Sequence, residues 1–240
     1  MLSAEKIKNA LEIPVEVRVF ESIDSTNTEA KRLIKSGEKR EMLITAQTQT
    51  AGRGRQGKSF YSPKDTGIYI SLVLNRETPE ASITAAAAAA VCKILEELTG
   101  RELQIKWVND IYLDGKKVCG ILTEALGSAV IIGIGINLTT SGFPEYVENG
   151  GSLGINAERE ELIGRIANAV YKAAFHKTEE FIDYYRSRSM LTGKKIYLIE
   201  NNKKTPAFAL GISKTGALEV MLENGERFSV SSGDVTVREE

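Results

Sequence analysis

The sequence predicts an α+β protein in which helices cover a β-rich centre and a small β-barrel follows at the C-terminal end. Three observations support this prediction. Apolar runs with strand-like patterning crowd the middle of the chain, segments with helical spacing flank them, and short runs separated by turn signals follow residue 191. We therefore expect a larger domain over residues 1–190 and a small barrel over residues 191–240.

The chain is expected to begin with a short helix that runs through Leu11. Alternating valines over residues 15–19 then predict a strand. Thr26, followed three residues later by Glu29, forms a capping-box pattern that predicts a second helix with Thr26 as its N-cap. A strand followed directly by a helix is therefore the expected start of the larger domain.

The middle of the chain alternates between apolar runs and helical patterns. Strands are expected over residues 42–46 and 68–74, and an alanine-rich helix over residues 82–98 has small side chains that favour close packing against a sheet. Further strands are expected over residues 103–107, 117–124 and 130–138, a helical period covers residues 158–188, and the barrel strands fall at residues 195–199, 208–212, 217–222 and 227–230.

Composition and charge exclude several classes of protein. The chain has 31 basic and 32 acidic side chains, so its global charge does not favour tight binding to DNA or a polybasic attachment to a membrane. No segment resembles a signal peptide or reaches the length of a membrane span, which predicts a cytoplasmic protein. Cys92 and Cys119 lack a CxxC spacing, and a single histidine excludes most His-based metal clusters and His-dependent triads.

A glycine- and arginine-rich segment, Gly52 to Ser59, matches the pattern G-x-x-x-x-G-K-[ST] of a P-loop. A P-loop must open a helix, whereas this segment is followed by Phe60 and then by a strand pattern. Arg53 is one of three cations within six positions, and the glycines allow close backbone approach to an anion. The segment therefore predicts a phosphate-binding loop, with a solvated basic loop that attracts nucleic acid as the alternative.

Four segments occur together in one order: Asp24 to Asn27, Gln49 to Gly57, Lys106 to Asp110 and Gly133 to Asn137. This ordered set resembles the biotin protein ligase family, and Lys117 stands where that family places its biotin-contacting lysine. Each motif alone is weak, but the ordered set is specific and spans most of the chain. Two departures are Phe60, where relatives often have tryptophan, and Val108, where many have proline.

The resemblance implies a mixed sheet flanked by helices, similar to class II aminoacyl-tRNA synthetases and lipoate ligases, with a small β-barrel after it. It implies an enzyme that uses ATP with Mg²⁺ to convert biotin to its adenylate. The biotinyl group then goes to a lysine of a biotin carboxyl carrier protein, as in acetyl-CoA carboxylase. We expect the form of the family without the N-terminal DNA-binding domain, and a homodimer is possible.

By the same resemblance, the biotin-binding residues are Ser25, Thr26, Asn27, Gln49, Gly52, Arg53, Lys117 and Gly120. Hydroxyl and carboxamide groups can both donate and accept hydrogen bonds, as the ureido ring of biotin requires. From the residues alone, the Ser-Thr pair could instead only cap a helix, and Gln49 could be an ordinary polar loop residue.

The nucleotide-binding residues implied by the resemblance are Arg53, Arg55, Lys58, Phe60 and Asn137, and the catalytic residues are Lys117, Arg53 and Asp110. Cations are needed because the biotin carboxylate approaches the α-phosphate of ATP and both are anions. From the residues alone, Lys117 could be a solvated hairpin lysine, while Asp110 and Asn137 could belong to ordinary turns. The sequence identifies no metal ligands, and Trp107 is expected in the core.

Three other functions compete with this one. A lipoate or octanoate protein ligase would share the fold and the adenylate chemistry, whereas a nucleic-acid-binding module would use the basic loop and the barrel. A P-loop hydrolase would turn over ATP without an acid substrate. We also expect residues 51–61 to become ordered over biotin or its adenylate, because an acyl-adenylate must be shielded from water.

Overall fold

The structure, a computed structural model, describes residues 2–76, 81–175, 178–200, 203–231 and 233–237. The single histidine, His176, lies outside these residues. The helices are α1 (Ala4–Ala10), α2 (Thr26–Lys35), α3 (Ala81–Thr99), α4 (Arg159–Phe175) and α5 (Thr178–Ser187). The strands are β1 (Glu16–Ile23), β2 (Met42–Gln49), β3 (Gly67–Asn75), β4 (Gln104–Lys106), β5 (Asp110–Leu113), β6 (Lys116–Leu126), β7 (Ala129–Asn137), β8 (Lys195–Glu200), β9 (Lys203–Ile212), β10 (Leu218–Leu222), β11 (Arg227–Val230) and β12 (Asp234–Val237).

A seven-stranded mixed sheet forms the centre of the larger unit, in the order β1-β2-β3-β7-β6-β5-β4. Strands β1 and β2 are parallel, which is possible because α2 provides the crossover between them. The other pairings are antiparallel. The predicted mixed central sheet is therefore confirmed.

One face of this sheet is covered by α1, α3 and α4, and α5 packs against α3 and α4. The alanines of residues 85–90 in α3 are fully buried, and they bring the helix close to the apolar side chains of the sheet. From β7, Ile132, Ile134 and Ile136 point into this core. The prediction of a buried alanine-rich helix is confirmed.

The opposite face carries only α2, which covers one end of it. Ala30 packs there with Met42, Ile44, Val73 and Ile131 in a second, smaller apolar cluster. Toward the other end, the same face of β6 and β7 presents glycines in place of large side chains. This uncovered end of the sheet is where a cleft can form.

The last strands form a five-stranded antiparallel sheet in the order β11-β10-β9-β8-β12. Among the described strands, no ladder joins β11 to β12, so the hydrogen bonding does not close a barrel. Apolar side chains of this sheet, including Ile196 and Leu218, join the core of the larger unit. The indole of Trp107 is buried as predicted, and its Nε1 donates to the carbonyl of Gly216 at 2.9 Å.

Two local predictions were wrong in detail. Helix α2 begins at Thr26, but its N-cap is Ser25, because Thr26 is already part of the helix while the backbone of Ser25 is extended. Strands β5 and β12 were not anticipated as separate strands. Within the described part of the chain, none of the helices is long and apolar enough to cross a membrane.

Candidate active site

A cleft of about 730 Å³ lies at the uncovered end of the central sheet. Its floor is formed by β6 and β7, and its walls by the start of α2, the loop after β2 and residues 146–150. The cleft brings together most of the residues predicted from the sequence. They are Ser25, Thr26, Asn27, Gln49, Arg53, Arg55, Lys58, Phe60, Asp110, Lys117 and Gly120.

Gln49 caps the start of α2 from a neighbouring strand. Its Oε1 accepts hydrogen bonds from the backbone amide of Thr26 at 2.8 Å and from the Thr26 hydroxyl at 3.2 Å. Its Nε2 donates to Ser62 Oγ at 2.8 Å. The Ser25 side chain, at the N-cap position, makes no capping bond of its own. The buried Ser25 residue therefore lines the cleft, and its hydroxyl does not cap the helix.

Asn27 ties α2 to the floor of the cleft. Its Nδ2 donates to the carbonyl of Leu122 at 3.2 Å and to Glu124 at 3.0 Å, and its Oδ1 accepts from Ser71 at 2.5 Å. A Cβ atom at Gly133 would lie only 2.2 Å from Asn27 Oδ1. The glycine in the Gly-Ile-Gly-Ile-Asn motif is therefore required by the close approach of this amide.

The Phe60 ring lies on the glycine floor. A Cβ atom at Gly135 would come within 2.4 Å of the ring, and one at Gly120 within 3.3 Å. The ring also meets Tyr69 edge-on, with centroids 6.5 Å apart. Paired glycines on β6 and β7 thus make room for an aromatic side chain inside the cleft.

The basic loop folds as a tight turn and not as the start of a long helix. A single 3₁₀ turn covers Arg55–Gly57, and the amide of Gly54 bonds to the carbonyl of Lys58 at 2.7 Å. Strand β3 follows this turn, so the loop does not open a helix as a P-loop would. Gly52 does not line the cleft; a Cβ atom there would lie 2.3 Å from the carbonyl oxygen of Phe60.

Arg55 connects the loop to two other parts of the chain. Its Nη1 donates to Asn109 Oδ1 at 3.2 Å, and its Nη2 donates to the carbonyl of Gly233 at 3.1 Å. The Asn109 side chain is held in turn by the carbonyl of Ile121 at 2.7 Å. The loop is therefore anchored to the central sheet and to the segment that precedes β12.

Lys117 and Asp110, from neighbouring strands, form an ion pair at 2.8 Å between Nζ and Oδ1. The contact lacks the directionality of a hydrogen bond, so among the described residues the buried Oδ1 has no hydrogen-bond donor. A β-bulge in the β5–β6 pairing turns Lys117 toward the cleft side of the sheet. Two of the three residues predicted to be catalytic therefore contact each other.

Asn137 is placed differently from the other predicted residues. Its side chain does not line the cleft; its Nδ2 donates to the carbonyl of Gly151 at 2.9 Å. Its Oδ1 is buried and has no hydrogen-bond partner among the described residues. Asn137 therefore holds the segment that forms one wall of the cleft, and a direct contact with nucleotide stays a prediction.

Glu124 was not anticipated as a site residue. Its carboxylate lies 2.6 Å from Lys31 Nζ, 3.0 Å from Asn27 Nδ2 and 3.3 Å from Arg53 Nη2. Burial raises the pKa of Glu124, but the hydrogen bonds from Lys31 and Asn27 outweigh it, so the pKa lies below its ordinary value. The available signal was period-2 alternation, which puts Glu124 on the same face of β6 as Gly120.

The chemistry of the cleft suits a reaction between anions. Five cationic residues of the described chain line one cavity: Arg53, Arg55, Lys58, Lys106 and Lys117. Within the described ranges, no three His, Cys, Asp or Glu side chains are grouped as metal ligands usually are. Cys92 and Cys119 are buried free thiols, and burial raises the pKa of Cys92 to about 12. The cleft thus supplies positive charge and hydrogen-bonding groups, and the thiols lie apart from it.

Comparison with known proteins identifies a family and relatives to which the chain is similar. Residues 19–139 match the model of the biotin/lipoate A/B protein ligase family. The bifunctional ligase/repressor BirA of Escherichia coli is 30% identical over 99% of this chain and 78% of its own length. The biotin–[acetyl-CoA-carboxylase] ligase of Paracoccus denitrificans is 30% identical over 81% of this chain and 90% of its own.

Solved structures lead to the same family. The biotin protein ligase of Aquifex aeolicus, in complex with biotin and ATP, superimposes with a TM-score of 0.78 at 26% identity. The superposition covers 94% of this chain and 99% of that one. With the ordered motifs gathered around one cleft, the chain belongs to the biotin/lipoate A/B protein ligase family, and within it to the biotin protein ligases.

Proposed function

We propose that this protein activates biotin with ATP to form biotinyl-5'-AMP and pyrophosphate, and then transfers the biotinyl group to a lysine of a carrier protein. The observation that carries the proposal is the single cleft that joins the start of α2, the basic loop and Lys117. Hydrogen-bonding groups at one end and cations at the other match a ligand that has a polar ring and a carboxylate.

In the first step, the biotin carboxylate attacks the α-phosphate and pyrophosphate leaves. Two anions must approach, so positive charge held in place lowers the barrier. Arg53 and Lys117 meet the carboxylate and the α-phosphate, while Arg55 and Lys58 hold the remaining phosphates. Ser25 and Thr26 bind the ureido ring, and Phe60 offers one face of its ring to the adenine.

In the second step, the carrier lysine amine attacks the acyl carbon of the adenylate, the bond to phosphate breaks, and AMP leaves. The attacking amine must lose a proton. Asp110 is the proposed acceptor because its buried Oδ1 carries an ion pair with Lys117 but no hydrogen-bond donor among the described residues. Closure of residues 51–61 would exclude water from the adenylate in the meantime.

We propose Mg²⁺ as the partner of ATP. This ion is usually bound through phosphate oxygens, water and only one or two carboxylates. Asp110 is engaged by Lys117, and the described residues offer no preformed cage of ligands. The ion would therefore arrive on the triphosphate, where it supplies positive charge, and no step of the mechanism above depends on a protein ligand to it.

The carrier that fits this chemistry is a biotin carboxyl carrier domain of acetyl-CoA carboxylase or a related carboxylase, which the names of the relatives support. We propose a cytoplasmic enzyme, since both cysteines are buried free thiols, as is common in a reducing compartment. A homodimer paired through the central sheets is also proposed, and sedimentation at several protein concentrations tests it.

The first experiment measures pyrophosphate release from ATP and Mg²⁺ with biotin, lipoate, octanoate or no acid, and repeats it with Lys117→Ala. We expect release that depends on biotin and falls by about 100-fold or more in the variant, the scale on which a positioned charge acts in a transition state. Preference for lipoate or octanoate would keep the adenylate chemistry and change the substrate. Turnover without an acid would contradict the proposal.

A further inference from the structure

Beside the cleft lies a cluster of three charged side chains from three different parts of the chain: Lys31 on α2, Arg53 on the basic loop and Glu124 on β6. Both cations approach the same carboxylate oxygen, Lys31 Nζ at 2.6 Å and Arg53 Nη2 at 3.3 Å. Two positive charges meet one negative charge, so the cluster carries a net charge of +1 beside the substrate cavity.

The two cations do not share Glu124 equally. Lys31 makes the shorter contact and its side chain is 26% exposed, whereas Arg53 makes the longer contact and is 42% exposed. Asn27 occupies the second carboxylate oxygen at 3.0 Å. Lys31 is therefore the stronger of the two partners of Glu124, and it weakens the hold of that carboxylate on Arg53.

We propose that Lys31 is a positioning residue, which neutralises Glu124 so that Arg53 stays available to the anionic end of the acid substrate. The inference rests on the proposed function, in which Arg53 meets the biotin carboxylate. Lys31 does not line the cleft and need not touch the ligand. Lys31 acts on the ligand indirectly, because it competes with Arg53 for the carboxylate of Glu124.

Removal of the Lys31 charge is expected to lower the affinity for an anionic ligand. Arg53 would then be the remaining cation at Glu124, the net charge of the cluster would fall to zero, and an anionic ligand would have to compete with Glu124 for the guanidinium. A neutral ligand of the same shape would not enter this competition. The signature of the proposed role is thus a loss of selectivity for charge, separate from any loss of stability.

The test measures dissociation constants for biotin and for biotinamide, its neutral amide, by calorimetry with wild type, Lys31→Met, Lys31→Arg and the double variant Lys31→Met/Glu124→Gln. We expect Lys31→Met to weaken biotin by about tenfold and biotinamide by less than about twofold, the scale of one partly buried charge interaction. Lys31→Arg and the double variant should restore the preference for biotin. Lys172→Met, at an exposed ion pair with Glu12, is the matched control.

The outcomes separate the two proposals. If wild type does not bind biotin, the proposed function fails, and this inference with it. If wild type binds biotin but Lys31→Met leaves the ratio of the two dissociation constants unchanged, only the inference is overturned. Thermal unfolding of each variant identifies those that lose structure. If Lys31→Met is unstable, Lys31→Gln, which also removes the charge but keeps a hydrogen-bond donor for Glu124, gives the same test with the same expected loss of preference for biotin.

Discussion

The two faces of the central sheet are built from alternate residues of the same strands and yet have opposite characters. On β7, Ile132 and Ile134 point into a core covered by helices, while Gly133 and Gly135 point to the cleft. The covered face is filled by apolar side chains of its own strands. The cleft face is left bare and is filled by Asn27 and Phe60, which arrive from elsewhere in the chain. A residue and its neighbour can therefore serve stability and function separately.

The largest effect is expected on the covered face. Ile132→Ala removes a fully buried side chain from the main core, and we expect the free energy of unfolding to fall by about 3 kcal/mol. Urea unfolding measures this loss. Below the unfolding transition, the variant should keep the affinity of wild type for biotin, because the cleft lies across the sheet. A large loss of biotin affinity in the folded variant would show that the two faces of the sheet do not act independently.

The neighbouring glycine provides the contrasting variant. Gly133→Ala forces a Cβ atom against Asn27, so we expect the free energy of unfolding to fall by about 2 kcal/mol. Biotin affinity should fall by about tenfold or more in the folded fraction, because Asn27 lines the cleft. Gly211→Ala on β9 is the matched control, since a Cβ atom there meets nothing within 4 Å. Unchanged affinity in Gly133→Ala would show that the glycine floor serves packing alone.

A smaller effect concerns the basic loop. Trypsin can cleave after Arg53, Arg55 and Lys58, and cleavage requires local opening of the turn. If biotin binds only the closed loop, biotin at ten times its dissociation constant should slow cleavage by about tenfold. Gel analysis of cleavage with and without biotin measures the ratio. Equal rates would mean that the loop does not close over the ligand.

The smallest effect is a dependence of stability on pH through Glu124. Its pKa in the folded protein lies below the ordinary value of 4.5, so its contribution is present above that value and is lost as the pH falls through the folded pKa. Between pH 7 and pH 3, wild type should lose about 1 kcal/mol more than Glu124→Gln does, the upper end of the scale for a solvent-screened ion pair. Chemical unfolding across this range measures the difference, and parallel curves would contradict it.

Much of the fold could be predicted because long elements carry a period of their own. The alanine run of α3 and the alternation of β7 each mark one element without reference to the rest of the chain. Strands β5 and β12 are only four residues long and were missed, although β11, which has the same length, was predicted. The order of the strands in the sheet depends on pairing between residues that lie far apart in the sequence, and local patterns carry no information about such pairing.

The same distinction holds within the site. Motifs around Ser25, Arg53 and Lys117 predicted residues that the structure brings to one cleft, although their individual roles stay predictions. The pairing of Lys31 with Glu124 joins positions 93 residues apart, so no local pattern shows that the two residues meet. Asn137 belongs to a predicted motif but points to the wall behind the cleft, because only the fold decides which side of a strand end faces the ligand.

The hydrogen bond between Trp107 and Gly216 has a spectroscopic consequence. The chain contains one tryptophan, and its indole lies buried at the junction of the two sheets, two residues from Arg55's partner Asn109. Indole emission responds to the polarity around the ring and to the hydrogen bond at its nitrogen. Fluorescence excited at wavelengths that the eight tyrosines do not absorb therefore reports one location, and a shift in emission during a turnover would register a change in the surroundings of the indole at this junction.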